Sequence, residues 1–248
     1  MDKRQDIIRK DMYNGYEDNQ YEEERYNATH MKDYLEVRSN LINNAIKQHF
    51  TNTENIKILD VGCGTGLNLA NLRNSFPKAE IYGIDISSKM LQICNKKFNS
   101  MNLYINGISL GSAYELPYPD ETFDCLVATR FIHQYSHNDK VTIFNEMKRT
   151  LNSGGILLVE FYNRPYHWLR YYLSKDSRSK DKYFSHYPTR NEVRKIISGV
   201  FERIPCRLGG SRIIANTIGN NLLKKLTLTF SKKYFNWLYD EYFVLIKK

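Results

Sequence analysis

Residues 57–69 read KILDVGCGTGLNL. Ile58, Leu59 and Val61 form an apolar run of the kind a buried parallel strand presents, and Leu67, Leu69, Ala70 and Leu72 follow at the spacing of a covered helix face. A strand, a glycine turn and a helix make the first unit of a doubly wound α/β sheet, which binds its ligand at the carboxyl ends of the strands, where the strand order reverses. A nicotinamide or flavin dinucleotide would ask for Gly-x-Gly-x-x-Gly. Counted from Gly62 and Gly64 the third position is Leu67, counted from Gly64 and Gly66 it is Leu69, and the pattern fails in both frames. What stands there is Asp-x-Gly-x-Gly-x-Gly, made of Asp60, Gly62, Gly64 and Gly66. Glycines two apart let the backbone turn sharply and approach a ligand closely. Asp60 adds a negative charge that repels a pyrophosphate and tolerates a sulfonium or an ammonium.

Outward from this unit, strand-like segments at 57–61, 80–84, 103–106, 123–128 and 155–161 alternate with helical stretches at 66–75, 87–99 and 138–151. That alternation predicts a parallel sheet with helices on both faces. Gly154 and Gly155 are expected to end one helix and launch the fifth strand. A strand near 200–206 and a closing strand in EYFVLIKK bring the expectation to a seven-stranded, mostly parallel, Rossmann-like sheet. Leu35, Leu41, Ile42, Ala45, Ile46 and Phe50 predict a helix over Tyr34–Phe50 beside it. Residues 1–33 are polar and tyrosine-rich and read as an arm or lid. Residues 34–162 read as the core of one domain, and 163–248 as its aromatic and basic closing part, with a helix at 165–174, a loop at 175–188 and a helix at 189–199.

A chain of 248 residues, 42% of them hydrophobic, can bury one sizeable core. It has no run of 18 apolar residues, and MDKRQDIIRK lacks an apolar signal core, so a cytoplasmic location is the expectation. Cys63, Cys94, Cys125 and Cys206 form no CxxC pair, which argues against a metal centre or a disulfide. Basic and acidic residues number 8 and 10 over residues 1–50, 10 and 11 over 51–160, and 18 and 6 over 161–248. The positive excess therefore sits in the last third. It suits an anionic partner or a solvated lysine-rich face.

The Asp60 to Gly66 pattern resembles motif I of the class I S-adenosylmethionine-dependent methyltransferases. GSAYELPYPDETFDCLVATRFIHQY and EMKRTLNSGGILLVEFYN, residues 111–135 and 146–163, resemble the later motifs of the same family, and the resemblance spans about residues 35–162. It implies S-adenosylmethionine as cofactor, S-adenosylhomocysteine as product, and a cofactor site built on Gly62, Cys63 and Gly64. Asp85, with Ile86 after it, ends the second strand, 23 residues past Gly62; an acidic residue there accepts the ribose hydroxyls, the alternative being a cap on the helix that begins at Ser87. Ser112 and Ala113 fall where the family contacts adenine, although an aspartate is usual where Ser112 stands. Thr129 ends the fourth strand under the reacting centre. Arg38 matches an arginine that pairs with the cofactor's carboxylate in some quinone-type members, or is a solvated helix arginine.

Methyl transfer asks the protein to align an acceptor and exclude water, and no metal is required. His133 is the expected base for an acceptor that arrives protonated, the alternative being simple packing. Tyr21 and Tyr26 are candidates to close over the site. His167 and His186, with Tyr162, Tyr166, Trp168, Tyr171 and Tyr172, are candidates to roof the substrate. In NLLKKLTLTFSKKYFNWL, residues 221–238, Leu222, Leu226, Phe230, Tyr234 and Trp237 share a helical face against Lys224, Lys225, Lys232 and Lys233, which suits an anionic membrane surface or packing on the sheet. The leading expectation is transfer to a small-molecule or lipid-linked, anionic acceptor. A tRNA substrate is the second reading, disfavoured because no RNA-binding module is recognisable. A non-catalytic cofactor-binding protein is the third.

Overall fold

Ile58, Leu59 and Val61 are fully buried, because β1 (Lys57–Val61) lies inside the sheet and is covered on both faces. A computed structural model of the chain describes residues 4–16, 20–26, 29–164, 187–198, 200–208 and 239–248. In chain order these give α1 (Arg4–Asn14), α2 (Gln20–Tyr26), α3 (Thr29–His49), β1, α4 (Leu67–Ser75), β2 (Glu80–Asp85), α5 (Ser88–Ser100) and β3 (Gly107–Leu110). β4 (Phe123–Ala128), α6 (His137–Thr150), β5 (Leu151–Tyr162), α7 (Arg190–Ile197), β6 (Glu202–Leu208) and β7 (Tyr239–Lys247) follow. The described strands form one seven-stranded sheet in the order β3-β2-β1-β4-β5-β7-β6. β1 to β5 run parallel, and β7 is antiparallel to β5 and to β6. The order reverses between β1 and β4, so a crevice opens past their carboxyl ends.

Strand alternation sorts the core into two layers. Ile58 packs with Ile42 and Ile46 of α3, Leu69 and Leu72 of α4, and Leu91, Cys94 and Phe98 of α5. Leu59 and Val61 point the other way, toward Ile143, Phe144 and Met147 of α6 and Val193, Ile196 and Ile197 of α7. Helices thus cover both faces, as the continuous apolar strands require. No helix among the described residues is long and apolar enough to cross a membrane.

The arm contains two helices, α1 and α2, that its polar sequence does not announce. Polar ties hold it down: Ser112 donates its hydroxyl proton to Asp6, Ser87 donates to Asn14 at 2.7 Å, and Lys97 pairs with Glu22. α3 starts at Thr29, five residues before the expected Tyr34. The third strand also departs from expectation, lying at 107–110 and not 103–106. Leu103 and Ile105 pack against the core from a loop, and the Asn106 side chain accepts from Ile81 N and Arg73 Nη2, both at 2.9 Å, so pairing with β2 begins only at Gly107. Nor do Gly154 and Gly155 end α6. It stops at Thr150, whose hydroxyl bonds back to Met147 O at 3.2 Å, and β5 starts at Leu151. The glycines form a bulge inside β5, with Gly154 at φ 81 and its N–H on Lys248 O at 2.9 Å.

Gly66 and Gly154 separate two reasons for glycine. Both have φ 81, yet a Cβ on Gly66 would meet Cys94 Sγ at 2.5 Å and Phe98 at 2.8 Å, whereas a Cβ on Gly154 would meet nothing within 4 Å. Gly154→Ala should lower the unfolding free energy by about 1–2 kcal/mol, the left-handed penalty alone. Gly66→Ala adds a clash worth about 1–3 kcal/mol. Urea titrations of the two variants check this; equal losses would mean that α4 and α5 are not pressed together at the turn.

Candidate active site

The turn after β1 is fastened to β2 by its own amides: Gly62 and Cys63 both donate to Ile84 O, at 2.8 and 3.0 Å. Gly64 donates to Asp85 Oδ2 at 2.9 Å, and Ser87 donates to Asp85 Oδ1 at 2.9 Å. One carboxylate therefore spans the glycine turn and the approach to α5. Capping of α5 belongs to Ser87, whose hydroxyl accepts from Met90 N at 3.2 Å. A carboxylate offers about four lone-pair positions, so Asp85 keeps accepting capacity toward the space it borders. Burial pushes its pKa upward, against the amides of Ser87, Gly64 and Ile86, which lower it.

That space is a cavity of roughly 830 Å³, solvent-open volume included, past the carboxyl ends of β1 to β4. Gly62, Cys63 and Gly64 line it from the turn, Asp85 and Ile86 from the end of β2, Ala113 from beyond β3, and Thr129 from beyond β4. Arg38 reaches it from α3, and Tyr13 and Tyr21 come from the arm. Nine of the eleven residues picked from the sequence are thus brought to one cavity or its floor, Asp60 forming the floor. Gly62 permits the close approach of two loops, since a Cβ there would lie 2.5 Å from Phe131 Cδ2. A Cβ on Gly64 would meet only open space, so its contacts are left to whatever fills the cavity. Burial pushes the Cys63 thiol well above its ordinary pKa, and the residue acts as packing beside Gly83.

Asp60 needs correction as a lining residue. It is 1% exposed beneath the turn and does not border the cavity, because its position in β1 turns it toward α3 and α4. Its carboxylate oxygens complete no hydrogen bond among the described residues. Burial pushes its pKa up to about 7, over the opposing pull of the Asn68 amide and the Arg38 guanidinium. Arg38 is also buried, so the reading of it as a solvated helix arginine fails. Its Nη2 donates to Asn68 Oδ1 at 3.3 Å, and Asn68 Nδ2 donates to Thr129 Oγ1 at 2.5 Å, joining α3, α4 and the residue after β4 in one chain.

Ser112 and His133 are not at the cavity. The Ser112 turn bridges to Glu115 and points its hydroxyl at Asp6 of α1, which leaves Ala113 as the residue facing in. His133 sits in a single 3₁₀ turn, Ile132–Gln134. Three residues per turn set Phe131 and Gln134 on one side, facing the cavity, and carry His133 to another. Its ring is buried edge-on to Tyr162 at 4.5 Å and near Tyr187 at 6.3 Å. His167, His186, Tyr166, Trp168, Tyr171 and Tyr172, and the basic helix proposed over 221–238, lie outside the described residues, as does the side chain of Tyr26.

Sequence reasoning missed Asn68, Arg130, Phe131, Gln134 and Tyr135, all of which line the cavity. Asn68 carried a signal: a polar residue one place from Leu67 and Leu69 at the start of an apolar helix face. Arg130 has the less visible property of φ 51, a left-handed backbone that costs a non-glycine residue about 1–2 kcal/mol.

Residues 58–155 match the family model described as "Methyltransferase domain". The chain is 32% identical over 107 residues to the fatty-acid O-methyltransferase of Mycolicibacterium smegmatis, covering 42% of this chain and 36% of that one. It is 33% identical over 101 residues to the demethylmenaquinone methyltransferase of Geobacillus stearothermophilus, covering 40% of this chain and 42% of that one. The alignments span less than half the length of these curated relatives. Among solved structures, the plantazolicin methyltransferase BpumL in complex with SAH superposes with a TM-score of 0.64 at 16% identity, over 99% of this chain and 97% of that one. The PH0226 protein from Pyrococcus horikoshii OT3 gives 0.62 at 18% identity, over 94% and 99%. Those two likenesses speak for the fold, and the sequence match for residues 58–155 speaks for the domain. Residues 58–155 thus match a methyltransferase domain in sequence, on a fold that the chain shares with these two structures.

Proposed function

We propose that this chain binds S-adenosylmethionine in the cavity at the end of β1 and β2 and transfers its methyl group to a small-molecule or lipid-linked acceptor. The observation that carries the reading is the placement of Asp85, whose carboxylate borders the cavity while two main-chain amides hold it in position. When bound, the cofactor supplies an electrophilic methyl group on a positively charged sulfur. Asp85 accepts from the ribose hydroxyls, and Ile86 and Ala113 offer the apolar surface that an adenine ring needs. Gly62 and Gly64 let the main chain approach, and Arg38 takes the carboxylate at the amino-acid end with its guanidinium fork. Burial of Asp60, which raises its pKa, weakens its competition for the Arg38 guanidinium. Phe131 and Tyr135, with ring centroids 5.0 Å apart, and the arm residues Tyr13 and Tyr21 exclude water from the reacting centre.

The names of the fatty-acid and demethylmenaquinone relatives support an apolar small molecule as the acceptor's class, and the basic excess over 161–248 supports negative charge on it. An anionic membrane surface meeting that same region belongs to the proposal, as the source of a lipid-linked acceptor. A nucleic acid substrate draws no support from these relatives.

Calorimetric titration with S-adenosylhomocysteine tests the cofactor site. Asp85→Ala should weaken binding by about 1–3 kcal/mol, the loss typical of hydrogen bonds to a charged group, and an unchanged affinity would contradict the assignment. His133→Ala gives the complementary check on chemistry. Turnover at saturating substrate should stay within several-fold of wild type while thermal stability drops, since the ring packs and does not face the cavity. A hundredfold loss of kcat with normal cofactor binding would restore it as the base.

A further inference from the structure

Four non-glycine residues in the described part of the chain have positive φ: Asn102, Glu121, Arg130 and Ser198. Asn102 and Glu121 lie in turns and Ser198 ends α7; Arg130 alone lines the cavity. A left-handed arginine is strained where glycine would not be, and strain of this kind persists only where the surroundings over-determine it, characteristically at ligand clamps. The surroundings here are specific. Arg130 N donates to Glu160 Oε2 at 2.8 Å, and Tyr34 donates its hydroxyl proton to Glu160 Oε1 at 2.5 Å. Glu160 is 3% exposed on β5, Tyr34 is buried on α3, and the Arg38 guanidinium lies 5.6 Å from the Tyr34 ring. A buried carboxylate thus pins the main chain of Arg130. The residue that results is a second arginine in the cavity, next to Thr129 at the end of β4 and beside Phe131 and Tyr135.

We infer that Arg130 receives a carboxylate on the methyl acceptor, and that this carboxylate is the group methylated. The inference rests on the methyl-transfer reading above and names its substrate class: apolar carboxylic acids. In the transfer, one carboxylate oxygen forms a bond to the methyl carbon as the carbon–sulfur bond breaks and its electron pair passes to sulfur. The acceptor's negative charge and the sulfonium's positive charge cancel, the products are a methyl ester and S-adenosylhomocysteine, and no proton is released. An acceptor ionised before it arrives needs no base, which suits a site whose candidate base, His133, is turned to Tyr162 and Tyr187. A guanidinium presents paired donors that match the planar carboxylate and fix which oxygen faces the methyl group. A phosphate monoester would bring a second negative charge into a cavity that already holds Asp85.

Protein saturated with S-adenosylhomocysteine is titrated with decanoate and with 3-phenylpropanoate, each against its own amide, and with decyl phosphate. Wild type should bind at least one of the two acids about tenfold or more tighter than its amide and than decyl phosphate. With methyl-labelled cofactor that acid should yield an alkali-labile labelled ester. Arg130→Met should erase the preference for acid over amide, and Arg130→Lys should retain part of it. Arg130→Gly should erase it as well while raising the melting temperature, a combination that a merely structural arginine would not give. S-adenosylhomocysteine affinity should be the same in all four proteins. Equal binding of both acids and their amides, tighter binding of decyl phosphate, or a preference that survives Arg130→Met would overturn the assignment. Failure of the wild type to bind S-adenosylhomocysteine would remove the cofactor reading first, and this inference with it.

Discussion

Asp85 is the fixed point of the molecule. The reversal of strand order between β1 and β4 creates a crevice, but a crevice is only a place; its shape comes from the turns that border it. One carboxylate takes the amide of Gly64 on one side and that of Ser87 on the other. It thereby sets the glycine turn and the start of α5 at a constant spacing. Both donors are main-chain amides, one in the glycine turn and one at the cap of α5, so the wall they form depends on no other side chain's rotamer.

Around that point the charges divide by depth. Asp85 is half-buried, hydrogen-bonded, and borders the cavity. Asp60 sits below it with neither carboxylate oxygen hydrogen-bonded among the described residues, and burial pushes its pKa up to about 7. Arg38, Asn68 and Thr129 then run as a hydrogen-bonded line from α3 through α4 to the residue after β4, and Tyr34 and Glu160 extend the frame to β5 and Arg130. The side chains nearest the proposed reacting centre are therefore held by four secondary-structure elements at once. The arm lies over this frame through polar contacts to Ser112, Ser87 and Lys97.

The parallel core was legible in the sequence because buried strands announce themselves: Ile58, Leu59 and Val61, or Leu126, Val127 and Ala128, have no polar partner in alternation. β3 was misplaced because Leu103 and Ile105 look like strand residues and are instead loop residues packed under it, a distinction only tertiary contacts make. The arm helices were not legible for the opposite reason: polar ties to Ser112, Ser87 and Lys97 and the ring contacts of Tyr13, Tyr16 and Tyr21 leave no helical apolar period to read. Asp85 and the glycines were readable from spacing alone. His133 misled because proximity to the end of β4 in sequence says nothing about the phase of the turn that follows, and one 3₁₀ turn carries a neighbour away from the cavity. Arg130 went unnoticed because backbone sign is a property of the fold and has no signature in residue type.

The central claim is that this cavity is formed for an adenosine bearing a sulfur substituent and not for a diphosphate. Its most direct test is the ligand selectivity of the unmodified protein, measured by calorimetry with S-adenosylmethionine, S-adenosylhomocysteine and NAD under one buffer condition. Both adenosyl-sulfur compounds should bind at a single site and NAD should give no heat. Saturable binding of NAD, with neither sulfur compound bound, would contradict the account.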